Sequence, residues 1–299
     1  MDVLTTRRSL LGAALGTAAT GWLGLAEAYG AAPAARPGEL RIAFIPYENP
    51  QQLARDIQPV SAFLGAQLGV KVVPTVVLDY AAVVESLRGG RTDLAFMGPL
   101  QYLMANQQCG ATAILGEKYN GKPSYQAKIF VHRDSGLKTL ADLRGKRMAF
   151  VDPISSSGYL YPLTVFRKAG LIPPGQKPES FFRRIYFAGG DEQAIRAVHN
   201  KFADAAGIGE YSHLLLRPEE RDNVIAIAQS EPIPSHCVVA RQGLDPALTA
   251  RIQSLFLSLE RGPNRKYLKA LYNVDGYIRV THQTYVPVAA LAREHGLLK

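Results

Sequence analysis

The chain has little of several residue types that commonly carry chemistry. Its 299 residues include 2 cysteines, 6 histidines and 1 tryptophan, and no histidine or cysteine stands at the spacing of a zinc site or a Cys-x-x-Cys pair. A phosphate-binding loop of the Walker type and a Gly-x-Ser-x-Gly elbow are also absent from the sequence. These absences argue against a structural metal and a serine hydrolase, so we expect no metal, no cofactor and no enzymatic activity.

The charge of the chain is basic but dispersed. A formal net charge of +9 favours anionic partners in general. Lys and Arg residues are scattered singly, without a dense basic run or interleaved aromatic residues, which argues against nucleic-acid binding. The apolar fraction of 47% and the charged fraction of 20% are those of an ordinary globular protein. The length allows two domains or one large domain.

The N-terminal segment has the pattern of an export signal. Thr5–Leu11 reads TTRRSLL and places two adjacent arginines before Leu10–Leu25, which is rich in Ala and Gly. Small residues at Ala26–Ala28 or Ala31–Ala35 offer cleavage sites, and the apolar stretch is short and glycine-broken for a spanning helix. We predict a twin-arginine (Tat) signal over residues 1–35, cleaved from a soluble periplasmic protein. A membrane-anchoring N-terminus is the alternative.

From Glu39 onward, strand-like apolar runs alternate with segments of helical spacing. This alternation predicts an α/β fold with mixed sheets flanked by helices and a ligand cleft between two lobes. We predict hinges near His132 and Pro234, and a C-terminal third that is helical. The expected organisation is a first lobe that begins at 36–131, a second lobe at 132–235, and a return to the first lobe at 236–299.

One stretch raises a specific question about ligand binding. Asp152–Pro162 reads DPISSSGYLYP, follows the apolar run Met148–Val151 and precedes a segment of helical spacing. Ser, Asp and Gly at a helix start satisfy the free N–H groups of the first turn, and the same geometry binds anions. The stretch is therefore either a helix cap or a ligand seat. Ligands of open α/β sheets bind beyond the carboxyl ends of strands, where this loop is expected to lie.

Several segments, in this order, resemble the periplasmic phosphonate/phosphite/phosphate-binding proteins of ABC importers. The resemblance runs from about Glu39 to the C-terminus. It implies a type II two-lobed binding protein that closes on a small oxyanion by hinge closure and delivers it to an ABC permease. The segments that carry it are Asp79–Tyr80, Thr92–Pro99 (TDLAFMGP), Leu140–Pro153 (LADLRGKRMAFVDP), Ser155–Pro162 (SSSGYLYP), Gly189–Gly190 and Asp204–Ala206.

The resemblance also implies ligand-binding residues. In the family a Ser-Thr-Ser run at a helix start seats the oxyanion, and Ser155, Ser156 and Ser157 match this run with Ser in place of Thr. Tyr80 matches a tyrosine after the second strand that contacts ligand. The family often has an aromatic residue where this chain has Met97, so a polar contact is lost there.

Two departures from the family pattern bear on the ligand. The family places an oxyanion-binding histidine in a Gly-His-Glu loop, and this chain has Asp191 at that position. A carboxylate facing a dianion is repelled unless it is protonated or paired, so Asp191 either caps the following helix or disfavours an ordinary alkyl phosphonate. The returning crossover reads IPSHC where the family has Ile-Pro-Gly-Asp-Pro, which introduces His236 and Cys237 near the cleft.

These departures raise an alternative function. Asp191, His236 and a thiol would suit a neutral or thiophilic ligand such as arsenite. The chain resembles, in this respect, the arsenite-binding sensors of the family that control arsenite oxidase through a membrane sensor histidine kinase. Those sensors rely on a cysteine at about the depth of Cys109, so Cys109 or Cys237 would hold the arsenic. The two cysteines otherwise form one disulfide or remain separate buried thiols.

Overall fold

The structure, a computed structural model, describes residues 38–299, and the predicted export signal lies outside these residues. The strands are β1 (Glu39–Phe44), β2 (Lys71–Val76), β3 (Leu94–Met97), β4 (Thr112–Lys118), β5 (Ser124–Tyr125), β6 (Ala127–His132), β7 (Arg147–Phe150), β8 (Arg184–Phe187), β9 (Ala205–Gly209), β10 (Val224–Gln229), β11 (Ile233–Pro234), β12 (Cys237–Ala240) and β13 (Gly276–Arg279). The α-helices are α1 (Pro50–Leu68), α2 (Tyr80–Arg88), α3 (Pro99–Cys109), α4 (Tyr161–Lys168), α5 (Asp191–His199), α6 (Pro246–Ser258) and α7 (Val286–Glu294).

Two mixed sheets, each flanked by helices, form the two lobes. The first sheet has six strands in the order β13-β4-β12-β3-β1-β2, with β1 parallel to β2 and β3 and the remaining pairs antiparallel. The second has five strands in the order β10-β6-β9-β7-β8, parallel on both sides of β7 and antiparallel at β6. This architecture confirms the predicted fold class.

The chain crosses between the lobes at a small antiparallel ladder of β5 and β11, in which Tyr125 pairs with Ile233. We predicted the first crossing near His132, but the whole of β6 belongs to the second sheet. It is paired on both sides, by β9 and by β10, so its hydrogen bonds place it inside that lobe. The first crossing therefore lies at Ser124–Tyr125, and the return lies at Ile233–Pro234.

The sequence signal was clear for central strands and weak at one edge. β3 and β9 are buried at every position, as expected of strands covered on both faces. β13 lies inside the segment that we predicted to be helical, and it pairs with β4 at the sheet edge. A four-residue edge strand of this kind has no long apolar run and no clear period, so sequence pattern did not reveal it.

The site is positioned by strand ends that are followed directly by helices. α2 and α3 begin just beyond β2 and β3, and α5 begins beyond β8. Asp79 fixes the start of α2, since its side chain accepts a hydrogen bond from the Ala82 N–H at 2.8 Å. Within residues 38–299, no helix combines the length and the apolar character needed to cross a membrane.

Candidate ligand-binding site

The three consecutive serines are buried between β7 and α4, and each hydroxyl oxygen accepts a different hydrogen bond. Ser155 Oγ accepts from the backbone N–H three residues ahead at 3.0 Å, which makes it a helix cap. Ser156 Oγ accepts from the Leu100 N–H of the first lobe at 3.0 Å. Ser157 Oγ accepts from the Tyr125 hydroxyl at 3.1 Å. One serine is therefore a cap, and the other two face the junction between the lobes.

The serines stand on an unusual helix start. A single π-helical turn, Ser156–Leu160, precedes α4. Such turns are rare and occur frequently at functional sites. The close approach of this turn to β7 requires glycine, since a β-carbon on Gly158 would overlap the side chain of Val151. The sequence therefore fixes the three hydroxyl groups against the carboxyl end of a buried strand.

Asp191 is buried in the second lobe, with 2% of its surface exposed. Its Oδ1 accepts from Ser212 Oγ at 2.7 Å and from the Gly209 N–H at 3.2 Å, and the Tyr80 hydroxyl of the first lobe donates to its Oδ2 at 3.4 Å. Asp191 is the first residue of α5, but its side chain does not cap that helix. Burial raises the pKa of Asp191 to about 6, although these hydrogen bonds oppose the shift.

The two lobes touch directly around the start of α5. The Asp191 N–H donates to the Tyr47 carbonyl at 3.2 Å, and the Asn49 N–H donates to Glu192 Oε2 at 2.9 Å. Gly190 permits this approach, because a β-carbon there would lie 2.7 Å from the carbonyl oxygen of Pro46. The protein is therefore in a closed conformation, in which the first-lobe loop lies against the second lobe.

A second buried carboxyl group, Glu117 in β4, lies on the first-lobe side. Its Oε2 accepts from the Tyr119 hydroxyl at 2.6 Å and lies 4.0 Å from His236 Nδ1. Within residues 38–299, Glu117 Oε1 and His236 Nδ1 have no hydrogen-bond partner. Burial raises the pKa of Glu117 to about 8 and lowers the pKa of His236 to about 4, so both are neutral at pH 7.

Gln101, in the first turn of α3, completes a set of unpaired polar groups. Both atoms of its side-chain amide are buried and lack a partner among the described residues. Glycine at position 98 leaves room for this amide, since a β-carbon on Gly98 would overlap it and lie 3.5 Å from the His236 ring. Buried polar groups are usually hydrogen-bonded, so this cluster is suited to a polar ligand or water.

A small cavity lies beside His236 on the first-lobe side of the cluster. It measures about 10 Å³, which is about the room that one water molecule needs. The walls of this cavity are Ile45, Tyr47, Tyr119, His236 and Tyr272.

Three residues that we predicted to bind ligand are not brought to the site. Cys237 is the first residue of β12, and its buried Sγ lies 3.6 Å from the Met97 carbonyl oxygen. The Met97 side chain is buried in the core. Cys109 ends α3, about 15 Å from the start of that helix at 1.5 Å per residue, and its Sγ donates to the Ala105 carbonyl at 3.1 Å. The two cysteines are separate free thiols.

Several site residues were missed from the sequence. Tyr47 lies in the loop between β1 and α1. Isolated polar residues inside strands or helix starts have no sequence signal of their own, because only pairing across the sheet brings them together. The missed residues are Tyr47, Gln101, Glu117, Tyr119, Tyr125, Ser212 and Tyr272. No set of three or more His, Cys, Asp or Glu side chains in the described part of the chain is arranged to hold a metal ion.

The structure has the fold of a two-lobed binding protein, and polar groups from both lobes meet at the junction between them. The sequence profile of the family described as "ABC transporter, phosphonate, periplasmic substrate-binding protein" matches residues 42–285. The chain belongs to this family, which confirms the resemblance read from the sequence.

Individual relatives agree with this assignment. The chain is 34% identical over 174 residues to the phosphate-import protein PhnD of Mycolicibacterium smegmatis, a match that covers 56% of this chain and 54% of that protein. It is 29% identical over 239 residues to the phosphonates-binding periplasmic protein of Escherichia coli, which covers 76% and 68% of the two chains. PhnD1 of Prochlorococcus marinus in complex with methylphosphonate has a similar fold, with a TM-score of 0.78, 20% identity, and coverage of 88% of this chain and 100% of that one.

Proposed function

We propose that this chain is the substrate-binding component of an ABC importer and captures an oxyanion of the phosphonate, phosphite or phosphate class. The observation that carries the proposal is the position of the Ser156 and Ser157 hydroxyl groups, which are buried at the lobe junction and accept hydrogen bonds from the Leu100 N–H and the Tyr125 hydroxyl. Family membership supports the same function. Closure of the lobes around the ligand would present the loaded protein to a membrane permease.

The ligand is taken up in a form of low charge. Tyr80, Ser212 and a backbone N–H already donate to Asp191, and none of the contacts described at the site comes from Lys or Arg. Two carboxyl groups, Asp191 and Glu117, lie within the buried part of the site instead. A dianion would be repelled by an ionised Asp191 in this water-poor setting. A protonated monoanion is repelled less strongly and can donate a hydrogen bond to Asp191.

Export to the periplasm by the Tat pathway is part of the proposal. The twin arginines Arg7 and Arg8 support it, together with the periplasmic location in the description of the family. Replacement of both arginines by lysine in the full chain is expected to leave the protein in the cytoplasm. Periplasmic fractionation of cells that express this variant measures the effect, and undiminished export would contradict the Tat assignment.

The arsenite-sensor alternative has less support. Cys237 points away from the cleft and Cys109 lies at the far end of α3, so neither thiol is positioned beside Asp191 and His236. A sensor would also need a kinase partner, and no residue described above favours one. We therefore retain the importer component as the proposed function.

Calorimetric titration of the purified protein with methylphosphonate, phosphite, phosphate and arsenite tests the proposal. We expect at least one phosphorus oxyanion to bind and Ser156→Ala to weaken its binding. Arsenite is expected to give no heat of binding in the reduced protein. The proposal would be overturned in favour of the sensor if arsenite binds tightly, loses its binding when one cysteine is substituted, and no phosphorus oxyanion gives a heat of binding.

A further inference from the structure

A second and much larger cavity adjoins the small cavity beside His236. This cavity, here called the vestibule, has a volume of about 560 Å³ and shares Tyr47, Tyr119 and Tyr272 with the small one. Its volume is within the usual range for small-molecule sites. Nothing in capture of a small oxyanion at the serines requires a space of this size beside it.

The vestibule is built from both lobes. Tyr211 of the second lobe stacks on Tyr119 of the first, with ring centroids 5.8 Å apart, and its hydroxyl accepts a hydrogen bond from the Asn120 side chain at 2.9 Å. A molecule in the vestibule would therefore contact groups that move relative to one another on closure.

Three residues in the walls of the vestibule have a strained backbone conformation. Asn120, Tyr272 and Asn273 have φ angles of 50°, 61° and 55°, in the left-handed region that non-glycine residues rarely adopt. All three line this one cavity. Strained backbone of this kind persists where the surrounding structure enforces it and is concentrated at functional sites.

Two cations line the vestibule without a carboxylate partner. Arg265 and Lys269 are both exposed to its space, and neither forms an ion pair with a carboxylate of residues 38–299, whereas Lys118 nearby is paired with Glu260. The carboxylate in the same wall, Asp275, accepts a hydrogen bond from the Gly121 N–H at 2.9 Å. The vestibule therefore carries positive charge that no ion pair within residues 38–299 neutralises, whereas the buried part of the site holds the carboxyl groups of Asp191 and Glu117.

We propose that the vestibule binds the substituent of the ligand, and that the preferred substrates are phosphorus oxyanions whose organic chain ends in a second acidic group. The inference rests on the proposed function, since the phosphorus end occupies the serines. The chain passes between Tyr119 and Tyr272, and its acidic end is bound by Arg265 and Lys269. The hydroxyl groups of the inner site and the cations of the vestibule thus recognise opposite ends of one molecule.

Titration of the protein with a matched set of ligands tests this inference. The set is methylphosphonate, butylphosphonate and 4-phosphonobutyrate, which separates the effect of chain length from that of the terminal carboxylate. We expect 4-phosphonobutyrate to bind about three- to tenfold more tightly than butylphosphonate, with a gain that falls as salt is added. The double variant Arg265→Gln, Lys269→Gln is expected to lose this gain and to bind methylphosphonate as the parent protein does.

A neighbouring cation supplies the matched control. Lys266 lies on the same short segment but over the ring of Tyr267, 5.2 Å from its centroid, so Lys266→Gln is expected to keep the full gain. Equal affinity of the parent protein for butylphosphonate and 4-phosphonobutyrate, with methylphosphonate binding intact, would overturn the inference and leave the proposed function standing. Failure of all three phosphonates to bind would count against the proposed function itself.

Discussion

The Tyr80 hydroxyl and the Asp191 carboxyl group lie 3.4 Å apart and join the two lobes of the closed protein. The same carboxyl group also accepts hydrogen bonds from the Gly209 N–H and the Ser212 hydroxyl. These three donors are the kind of groups that bind an oxyanion. Asp191 therefore accepts the hydrogen bonds of three donors at the lobe junction. A ligand that binds to these donors has to share them with Asp191 or displace its carboxyl group from them.

Substitution of Asp191 by Asn is expected to strengthen oxyanion binding at alkaline pH. The pKa of Asp191 is raised to about 6 by burial, and an anion beside it favours the protonated acid, so binding takes up a proton. Affinity should consequently fall as the pH rises above about 6. The variant should bind about tenfold more tightly than the parent at pH 8, a difference of about 1.4 kcal/mol.

Calorimetry at pH 5, 6, 7 and 8 measures this effect. The same ligand and buffers are used for both proteins, so that titration of the ligand cancels from the comparison. The two proteins should converge at pH 5, where Asp191 is protonated in either state. If the ratio of the variant's affinity to the parent's stays constant over the whole pH range, the charge of Asp191 has no effect on ligand binding.

Two neighbouring serines are expected to separate affinity from stability. Ser156→Ala removes the hydroxyl group that contacts the other lobe and should weaken ligand binding about tenfold. Ser155→Ala removes a helix cap and should lower the free energy of unfolding by about 1 kcal/mol, with affinity changed by less than about twofold. Titration calorimetry and urea unfolding of both variants distinguish the two roles. Equal losses of affinity in both variants would contradict the assignment.

Glu117→Gln is expected to stabilise the protein increasingly as the pH rises. Burial raises the pKa of Glu117 to about 8, so its favourable contribution is complete below the pKa of an unfolded glutamate and is lost as the pH rises through 8. Glutamine cannot ionise and can still accept from Tyr119. We expect the variant to be more stable than the parent by about 2–4 kcal/mol at pH 9 and by much less at pH 5.

Thermal or urea unfolding at pH 5, 7 and 9 checks this stability difference. Glu85→Gln is the control, because Glu85 lies on the surface and pairs with Arg88. Its effect should be small and nearly the same at each pH. A Glu117→Gln variant whose stability relative to the parent does not change with pH would mean that Glu117 ionises normally in the folded protein.

The two thiols are expected to differ in reactivity and to matter little for ligand affinity. Cys237 is completely buried and burial raises the pKa of its thiol, whereas Cys109 is only partly buried. A thiol reagent should modify Cys109 first and Cys237 only on unfolding. Cys109→Ser and Cys237→Ala should each leave oxyanion affinity within about twofold, although the second should cost about 1 kcal/mol of stability. Rapid modification of Cys237 in the folded protein would contradict its buried placement.

The sequence determined the class of fold and one part of the site. Alternating apolar runs and helical spacings give an α/β chain, because each period dictates which face of an element is buried. The run Ser155–Ser157 could be identified because its helix-start chemistry depends only on local order. The close packing at Gly190 could not be assigned in advance, since the Pro46 carbonyl that it approaches comes from the other lobe.

Only the tertiary structure decided which polar groups share the ligand site. The sequence suggests that Asp191, His236 and Cys237 face one ligand, yet the Cys237 thiol is buried in the core, 3.6 Å from the Met97 carbonyl oxygen. Glu117 gave no signal in the sequence, and its partner Tyr119 lies two residues away on the same side of the strand. Their meeting with His236 depends on the pairing of β4 with β12. Such long-range strand pairing depends on the packing of the whole lobe, so it cannot be predicted from the local sequence.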